Sequence, residues 1–449
     1  MWRGTTRARY IARVNALQTF FRVGQHGSTV SREIVAGLTT FTTMSYIIVV
    51  NPAILAVAGI PAQPSMVATV LAAFLGCALM AVYANRPFAI APYMGENAFI
   101  AFTVCQSLGF PWQTALGAIF VAGVAFIVLT FFRVRSRIVE SVPTSLRYSF
   151  AVGIGLFLTF IGLNQTGIVA LGTPGAPVRT GALTSAPVLV AIFGFLLISV
   201  LIIRKIPGAI LLGIVVTAFV AYAAKVAPWP HEFISLPPSI SPILMQMDVR
   251  AALTWKAFPI ALTIFIMAFV DTMGTLIGLS ARAGFLDANG NLPQIERPMM
   301  VDAIATTVSP MLGTSTSGAF VESATGIEAG GRTGLTSLVT AVCFIGALFF
   351  APFVAAIPAQ AYGPALIIVG LFMLAPITKI NFDDYTESIP AFGVVVLMCF
   401  TFNIAVGITA GFVLYPFCKL VSGRLKEVRA GLWVLTALSL LFFVFYPYH

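Results

Sequence analysis

The chain has 449 residues, of which 59% are hydrophobic and only 9% charged, where a soluble globular chain carries about 25% charged residues. A soluble fold is therefore excluded, and recurring apolar runs of about 20 residues leave room for a dozen or more membrane helices. The net charge of +10, from 25 basic and 15 acidic residues, reads as cytoplasmic loops rich in Lys and Arg, and nucleic acid is not expected as a partner.

The N-terminal tail holds Arg3, Arg7, Arg9, Arg13, Arg22 and Arg32 without the apolar core of a secretory signal. The pattern then predicts spans over 34–58, 64–84, 95–107, 112–132, 146–168, 185–203 and 206–224. After a loop with Pro228, Pro230, Pro237, Pro238 and Pro242, further spans follow over 255–280, 298–312, 319–329, 333–356, 360–377, 388–402 and 405–421. With the N-terminus inside, 21 Lys and Arg fall on the cytoplasmic side, and four, Arg179, Lys225, Arg250 and Lys256, fall outside. That asymmetry is expected of fourteen spans. Residues 430–446 form another apolar stretch, short for a crossing, which either crosses or lies at the interface.

Cys77, Cys105, Cys343, Cys399 and Cys418 fall in apolar stretches without CxxC spacing, and His26, His231 and His449 in predicted loops or termini. No disulfide framework, metal or other cofactor is expected.

Internal echoes link the two halves. Thr114-Ala-Leu with Phe131-Phe132 matches Thr333-Gly-Leu with Phe349-Phe350, and Gly155-Leu-Phe-Leu matches Gly370-Leu-Phe-Met. Thr42-Thr43-Met44 stands where the second half has Asp271-Thr272-Met273. In order, these suggest a seven-plus-seven duplication. Seven is odd, so the copies are inverted, the build of secondary transporters.

The third and tenth spans are short and polar. Pro87, Pro92 and Gly95 deny a continuous helix before the third, and Gly313-Thr-Ser-Thr-Ser-Gly318 does so before the tenth. Two broken helices at corresponding places would point their N-termini at each other near the midplane. Four acids fall inside spans: Glu96, Asp271, Asp302 and Glu322. Burying an unpaired carboxylate there costs about 3 kcal/mol or more, so such acids are candidates for function. Asp271 has Thr272 and Thr275 beside it, and Glu322 lies at the break of span ten, where the helix dipole favours its charge. Asp302 is open between ion coupling and a structural hydrogen bond. Glu328 and Arg332 read as helix-end residues.

An enzyme is disfavoured, since paired metal ligands, a GxSxG elbow in a strand-turn-helix context and a P-loop are all lacking. The missing P-loop also counts against an ATP-driven pump, and a channel does not need two broken repeats. An inorganic-anion carrier of the same architecture is disfavoured because carboxylates repel anions.

With their neighbours, these residues resemble the nucleobase-cation symporter family of the nucleobase/ascorbate transporter superfamily, in its AzgA-like branch of hypoxanthine, guanine and adenine permeases. The resemblance runs from Glu33-Ile-Val-Ala-Gly-Leu-Thr-Thr-Phe and Asn51-Pro-Ala-Ile-Leu to Ser422-Gly-Arg-Leu-Lys. Its most specific pieces are Asp271-Thr-Met-Gly-Thr-Leu-Ile-Gly, Gly313-Thr-Ser-Thr with Val321-Glu-Ser, and Gly330-Gly-Arg-Thr-Gly334. It implies an all-α polytopic fold of fourteen spans as two inverted seven-span repeats, usually dimeric, with a core and a gate domain. After the tail (1–33), the core comprises 34–132 and 255–356, the gate 133–224 and 357–421, with an extracytoplasmic loop at 225–254 and a C-terminal tail at 422–449.

The family's two substrate carboxylates match Asp271 and Glu322, and its glycine and asparagine of span three match Gly95 and Asn97. This chain departs at Glu96, where many relatives have leucine, and at Ala268, where some have a polar residue. A purine is flat and nearly neutral, with N–H donors and ring-nitrogen acceptors that suit carboxylates, an asparagine amide and helix-end N–H groups. Glu96, Thr43 and Thr272 are further polar candidates, and Tyr46, Tyr93, Phe99 and Phe320 are candidates for stacking. Protonation of Asp271, Glu322 or Asp302 gives proton symport as the expected coupling, with sodium as the alternative cation. The expectation is a purine importer of the plasma membrane, with a uracil or xanthine carrier of the same family as the alternative.

Overall fold

The computed structural model describes residues 17–132, 142–173, 176–230, 232–287 and 292–445. Arg3, Arg7, Arg9, Arg13, Arg133, Arg135, Arg137, His231 and His449 lie outside the described residues.

Apolar runs become helices wherever proline and glycine allow. The first, α1 (Val30–Val57), starts at Thr29, whose hydroxyl caps the Arg32 N–H, and is interrupted at Ser45 and Tyr46. The next, α2 (Ala62–Ala84), stops at Asn85, which adopts a left-handed φ of 49°. Then come strand β1 (Ile90–Pro92), α3 (94–107) with a π-helical second half, α4 (Trp112–Phe131) and α5 (Thr144–Gln165). The hairpin β2 (Val169–Thr173) and β3 (Ala176–Thr180) precedes α6 (Ala186–Ile203) and α7 (Ala209–Ala223).

The second half runs α8 (Phe258–Ala283), α9 (Glu296–Leu312), β4 (Ser317–Ala319), α10 (Ser323–Glu328) and α11 (Gly334–Ala356). It continues through α12 (Ala359–Lys379), α13 (Tyr385–Phe400), α14 (Ile404–Val421) and α15 (Ala430–Phe445). Among the described residues, nine helices are long and apolar enough to cross a membrane, and α7, α13 and α15 are shorter apolar helices.

The expectation of an all-α chain needs one correction, because two small antiparallel sheets are present, β1 with β4 and β2 with β3. The second lies between α5 and α6, where only a loop was expected; its Val169, Thr173, Val178 and Thr180 are β-branched and favour extended backbone.

Packing sorts the helices. One set holds α1 and α2 against α11, and α4 against α8 and α9; in the other, α5 packs on α12 and α13, α6 on α7 and α12, and α13 on α14. Glu33 fastens α1 to the start of α11: its buried carboxylate accepts the N–H groups of Arg332 (3.0 Å) and Thr333 (3.2 Å), just before that helix, and the Thr336 hydroxyl (2.6 Å). The described residues between α7 and α8 reach the helix ends, with Asp248 N–H donating to Gln113 O (2.9 Å) and Met245 N–H to Met311 O (2.7 Å). The apolar stretch near the C-terminus forms α15, which packs on α14 with the Thr436 hydroxyl donating to Phe412 O (2.8 Å).

At the far ends of α13 and α14 lies an ion network. Lys419, counted above only as a cytoplasmic charge, has a fully buried side chain and pairs with Glu387 (2.7 Å) and Glu427 (2.8 Å). Tyr415 and Ser145 donate their hydroxyls to Glu387, and Arg424 pairs with Asp384 and Glu427 at 2.6 Å each.

Candidate functional site

The prolines and glycines that interrupt the third and tenth spans leave two extended segments, and these pair with each other. Ile90 faces Ala319, Ala91 faces Gly318 and Pro92 faces Ser317 in an antiparallel register. The ladder continues at both ends, with Tyr93 N–H donating to Thr316 O and Phe320 N–H to Ala89 O, each at 2.9 Å. Cys77 holds the start of β1, its Sγ accepting the Ile90 N–H at 3.2 Å, and Ser323 Oγ accepts the Ala89 N–H at 2.9 Å. Gly318 marks the tightest point, because a Cβ there would collide with the Tyr93 hydroxyl and the Asp302 carboxylate.

Around this crossing the structure gathers three of the four intramembrane acids. Asp302 is fully buried and fully engaged: Oδ2 lies 2.6 Å from the Thr272 hydroxyl, while Oδ1 accepts the Ala319 N–H (3.2 Å) and the Tyr93 hydroxyl (3.4 Å). Thr272 Oγ1 is also 2.7 Å from Ala268 O and 3.3 Å from the Tyr93 hydroxyl. The half-buried Asp271 and the buried Glu96 lie within electrostatic range of this group. Neither carboxylate oxygen of Glu96 meets a donor from another residue.

Glu322 stands apart from these three. It is half-buried, and its Oε1 accepts the hydroxyl of Tyr46 at 2.5 Å. Beside it, Thr43 and Thr325 hydroxyls lie 3.1 Å apart, linking α1 to α10. The rings of Tyr93 and Phe320 join the two regions, with centroids 6.3 Å apart and planes within 9° of parallel.

Gly95 and Asn97 turn out to have structural partners. A Cβ on Gly95 would lie 3.0 Å from Ile154 Cγ2, so the glycine lets α3 approach α5. Asn97 donates Nδ2 to Asn51 Oδ1 (2.7 Å), and Asn51 in turn donates to Thr69 (2.7 Å) and Thr314 (2.9 Å). This relay between α1, α2, α3 and the segment before β4 was not read from the sequence; an asparagine within the apolar run Ile47–Val57 was its signal. Asn97 Oδ1 stays buried without a protein donor, and Phe99 is buried in the apolar core.

The arrangement is that of a multi-pass membrane transporter. Its fold matches the transmembrane domain of a cyanobacterium bicarbonate transporter, BicA, with a TM-score of 0.63 over 85% of this chain and 97% of that one, at 16% identity. Residues 31–410 match the family described as Permease family, and the chain belongs to that family, within the nucleobase/ascorbate transporters; it is a permease and not an enzyme. Adenine permease AdeQ of Escherichia coli (strain K12) is 40% identical over 422 residues, 94% of this chain and 95% of that protein. Guanine/hypoxanthine permease PbuO of Bacillus subtilis (strain 168) is 38% identical over 431 residues, 94% of this chain and 99% of that protein.

Proposed function

We propose that this permease is a secondary active importer of purine nucleobases, adenine and/or hypoxanthine and guanine, driven by proton symport across the plasma membrane. The observation that carries the reading is the pair of parallel rings, Tyr93 and Phe320, placed at the β1–β4 crossing beside buried carboxylates. A flat heteroaromatic base stacks on such faces, and its N–H groups need acceptors of the kind Asp271 and Glu322 provide. Gly95, Glu96, Asn97, Thr43, Thr272 and Phe320 complete the proposed site. The purine permeases AdeQ and PbuO, aligned over nearly the full chain, support the substrate class.

In this reading α1–α4 and α8–α11 form the core domain, α5–α7 and α12–α14 the gate, and the fourteen segments are two inverted repeats. The antiparallel meeting of β1 with β4 and the grouping of helix contacts support that division. The core carries substrate past the gate in an elevator-like movement, with Gly95 against Ile154 at the boundary between them. The chain is proposed to act as a homodimer with its N-terminus in the cytoplasm, the orientation favoured by its Lys and Arg distribution. Asp271 and Glu322 are the ion-coupling candidates. Asp302, already engaged by Thr272, the Ala319 N–H and Tyr93, acts by positioning.

Uptake of radiolabelled adenine and hypoxanthine into cells lacking their own purine carriers tests the reading, comparing wild type with Glu322→Gln and using each unlabelled base as competitor. Saturable uptake that is lost in the variant supports it, and the competition order names the preferred base. No uptake by well-expressed wild type rejects it in favour of a uracil, xanthine or anion carrier. Uptake that persists with the proton gradient collapsed and sodium absent rejects cation symport.

A further inference from the structure

The four acids of the site differ in how they are held. Asp302 receives Thr272, Tyr93 and a backbone N–H, and Glu322 receives Tyr46. Glu96, in the first turn of α3, has no exposed surface, and neither of its oxygens meets a donor from another residue. The charged groups acting on it are Asp271 of α8 and Asp302 of α9, both acids, and Tyr93 senses all three. The same turn faces Asn51 of α1 through Asn97, and Ile154 of α5 through Gly95, and neither carries charge. An ionised Glu96 would therefore be a buried anion without a counter-charge and next to two others, which costs several kcal/mol. Two ways of neutralising it remain, a bound cation or a proton. A proton needs no ligand beyond the carboxyl itself, whereas a cation needs several, and among the described residues no three Asp, Glu, His or Cys form a metal site.

We propose that Glu96 is the proton-holding carboxyl of the substrate site and that, as a carboxylic acid, it donates its O–H to a ring-nitrogen acceptor of the bound base. This rests on the purine reading above. A neutral Glu96 beside an ionised Asp271 offers one donor and one acceptor, the pairing that the alternating edge of a purine requires. Release of the proton to cytoplasmic water converts the donor into a carboxylate that faces both the base's lone pair and the Asp271 charge, so proton and base leave together. Glu96 of span three then joins Asp271 of α8 and Glu322 of α10 as a coupling group.

The test uses the purified full-length protein, with adenine as probe, and has two readouts. The first is adenine affinity as a function of pH. Wild-type affinity is expected to fall about tenfold per pH unit once the carboxyl ionises. Glu96→Gln keeps an N–H donor but has no proton to release, so its affinity is expected to be independent of pH, and proton-driven accumulation in proteoliposomes to be lost. Glu96→Leu, which has neither donor nor charge, is expected to bind at least about tenfold more weakly, also without pH dependence. The second readout needs no substrate: the infrared carbonyl stretch of a protonated carboxylic acid, present in wild type and diminished in both variants. A wild-type pH slope retained in either monodisperse variant, or an infrared band that neither substitution diminishes, overturns the proposal. If wild type binds no purine, the substrate reading fails by itself, while the infrared band still decides whether Glu96 holds a proton.

Discussion

The Tyr46 hydroxyl donates to Glu322 Oε1 over 2.5 Å, joining the interruption of α1 to the start of α10. This bond sets where the carboxylate points, and a hydrogen bond to a charged acceptor contributes about 1.5–3 kcal/mol. Tyr46→Phe is expected to raise the KM for adenine uptake about tenfold, at 1.4 kcal/mol per decade. Binding to the Tyr46→Phe/Glu322→Gln double variant should be no weaker than to Glu322→Gln alone, because the pair acts as a unit. A wild-type KM in Tyr46→Phe would show that the bond does not orient the carboxylate.

Thr272 is the short-range donor to Asp302, at 2.6 Å. Thr272→Val keeps the shape and removes the hydroxyl, leaving a buried acceptor short of a partner at a cost of about 1–3 kcal/mol. The expected outcome is a lower melting temperature in detergent for the valine variant and near-complete recovery for Thr272→Ser. Equal melting of Thr272→Val and wild type would mean that Asp302 finds another donor.

Gly318 has no room for a methyl group between Tyr93 and Asp302. Gly318→Ala is expected to push β4 away from β1 and to abolish uptake at normal membrane expression. Gly274 on α8 offers a control, since a Cβ there meets nothing within 4 Å, and Gly274→Ala should transport at close to the wild-type rate. Full activity in Gly318→Ala would show that the strand crossing tolerates separation.

Outside the membrane-spanning helices, Asp384 caps α13 through Thr386 and pairs with Arg424. The Thr386 hydroxyl, and then Arg424, hold its carboxyl well below the usual range; Arg424 and then Lys419 lower that of Glu427. Groups with depressed folded-state values stabilise fully above their unfolded values, about 4 for Asp and Glu, and lose that contribution as pH falls through the folded ones. Thermal stability is therefore expected to hold from neutral pH down to about 4 and to decline below it. Differential scanning fluorimetry across pH checks this, and Asp384→Asn should show a shallower acid-side decline.

Much of this protein was legible in its residues taken in order. The apolar fraction alone dictates a membrane environment, because so few charged side chains cannot cover a soluble surface. Pro87, Pro92, Gly313 and Gly318 mark where helices stop, since ring closure and absent side chains act on the local backbone. The motifs around Asp271 and Glu322 carried the family, which the match over residues 31–410 shows.

Only the tertiary structure decided that the two interrupted segments pair strand to strand, with Ile90 opposite Ala319. It also separated acids that looked alike in sequence: Asp302 has three donors, Glu322 has Tyr46, and Glu96 has none from another residue. Lys419, which composition treats as one more cytoplasmic charge, is enclosed by Glu387 and Glu427. The physical reason is range. Helix propensity and chain breaks act over a few residues, whereas the partner of a buried polar group comes from whichever helix packs beside it, often hundreds of residues away in the chain.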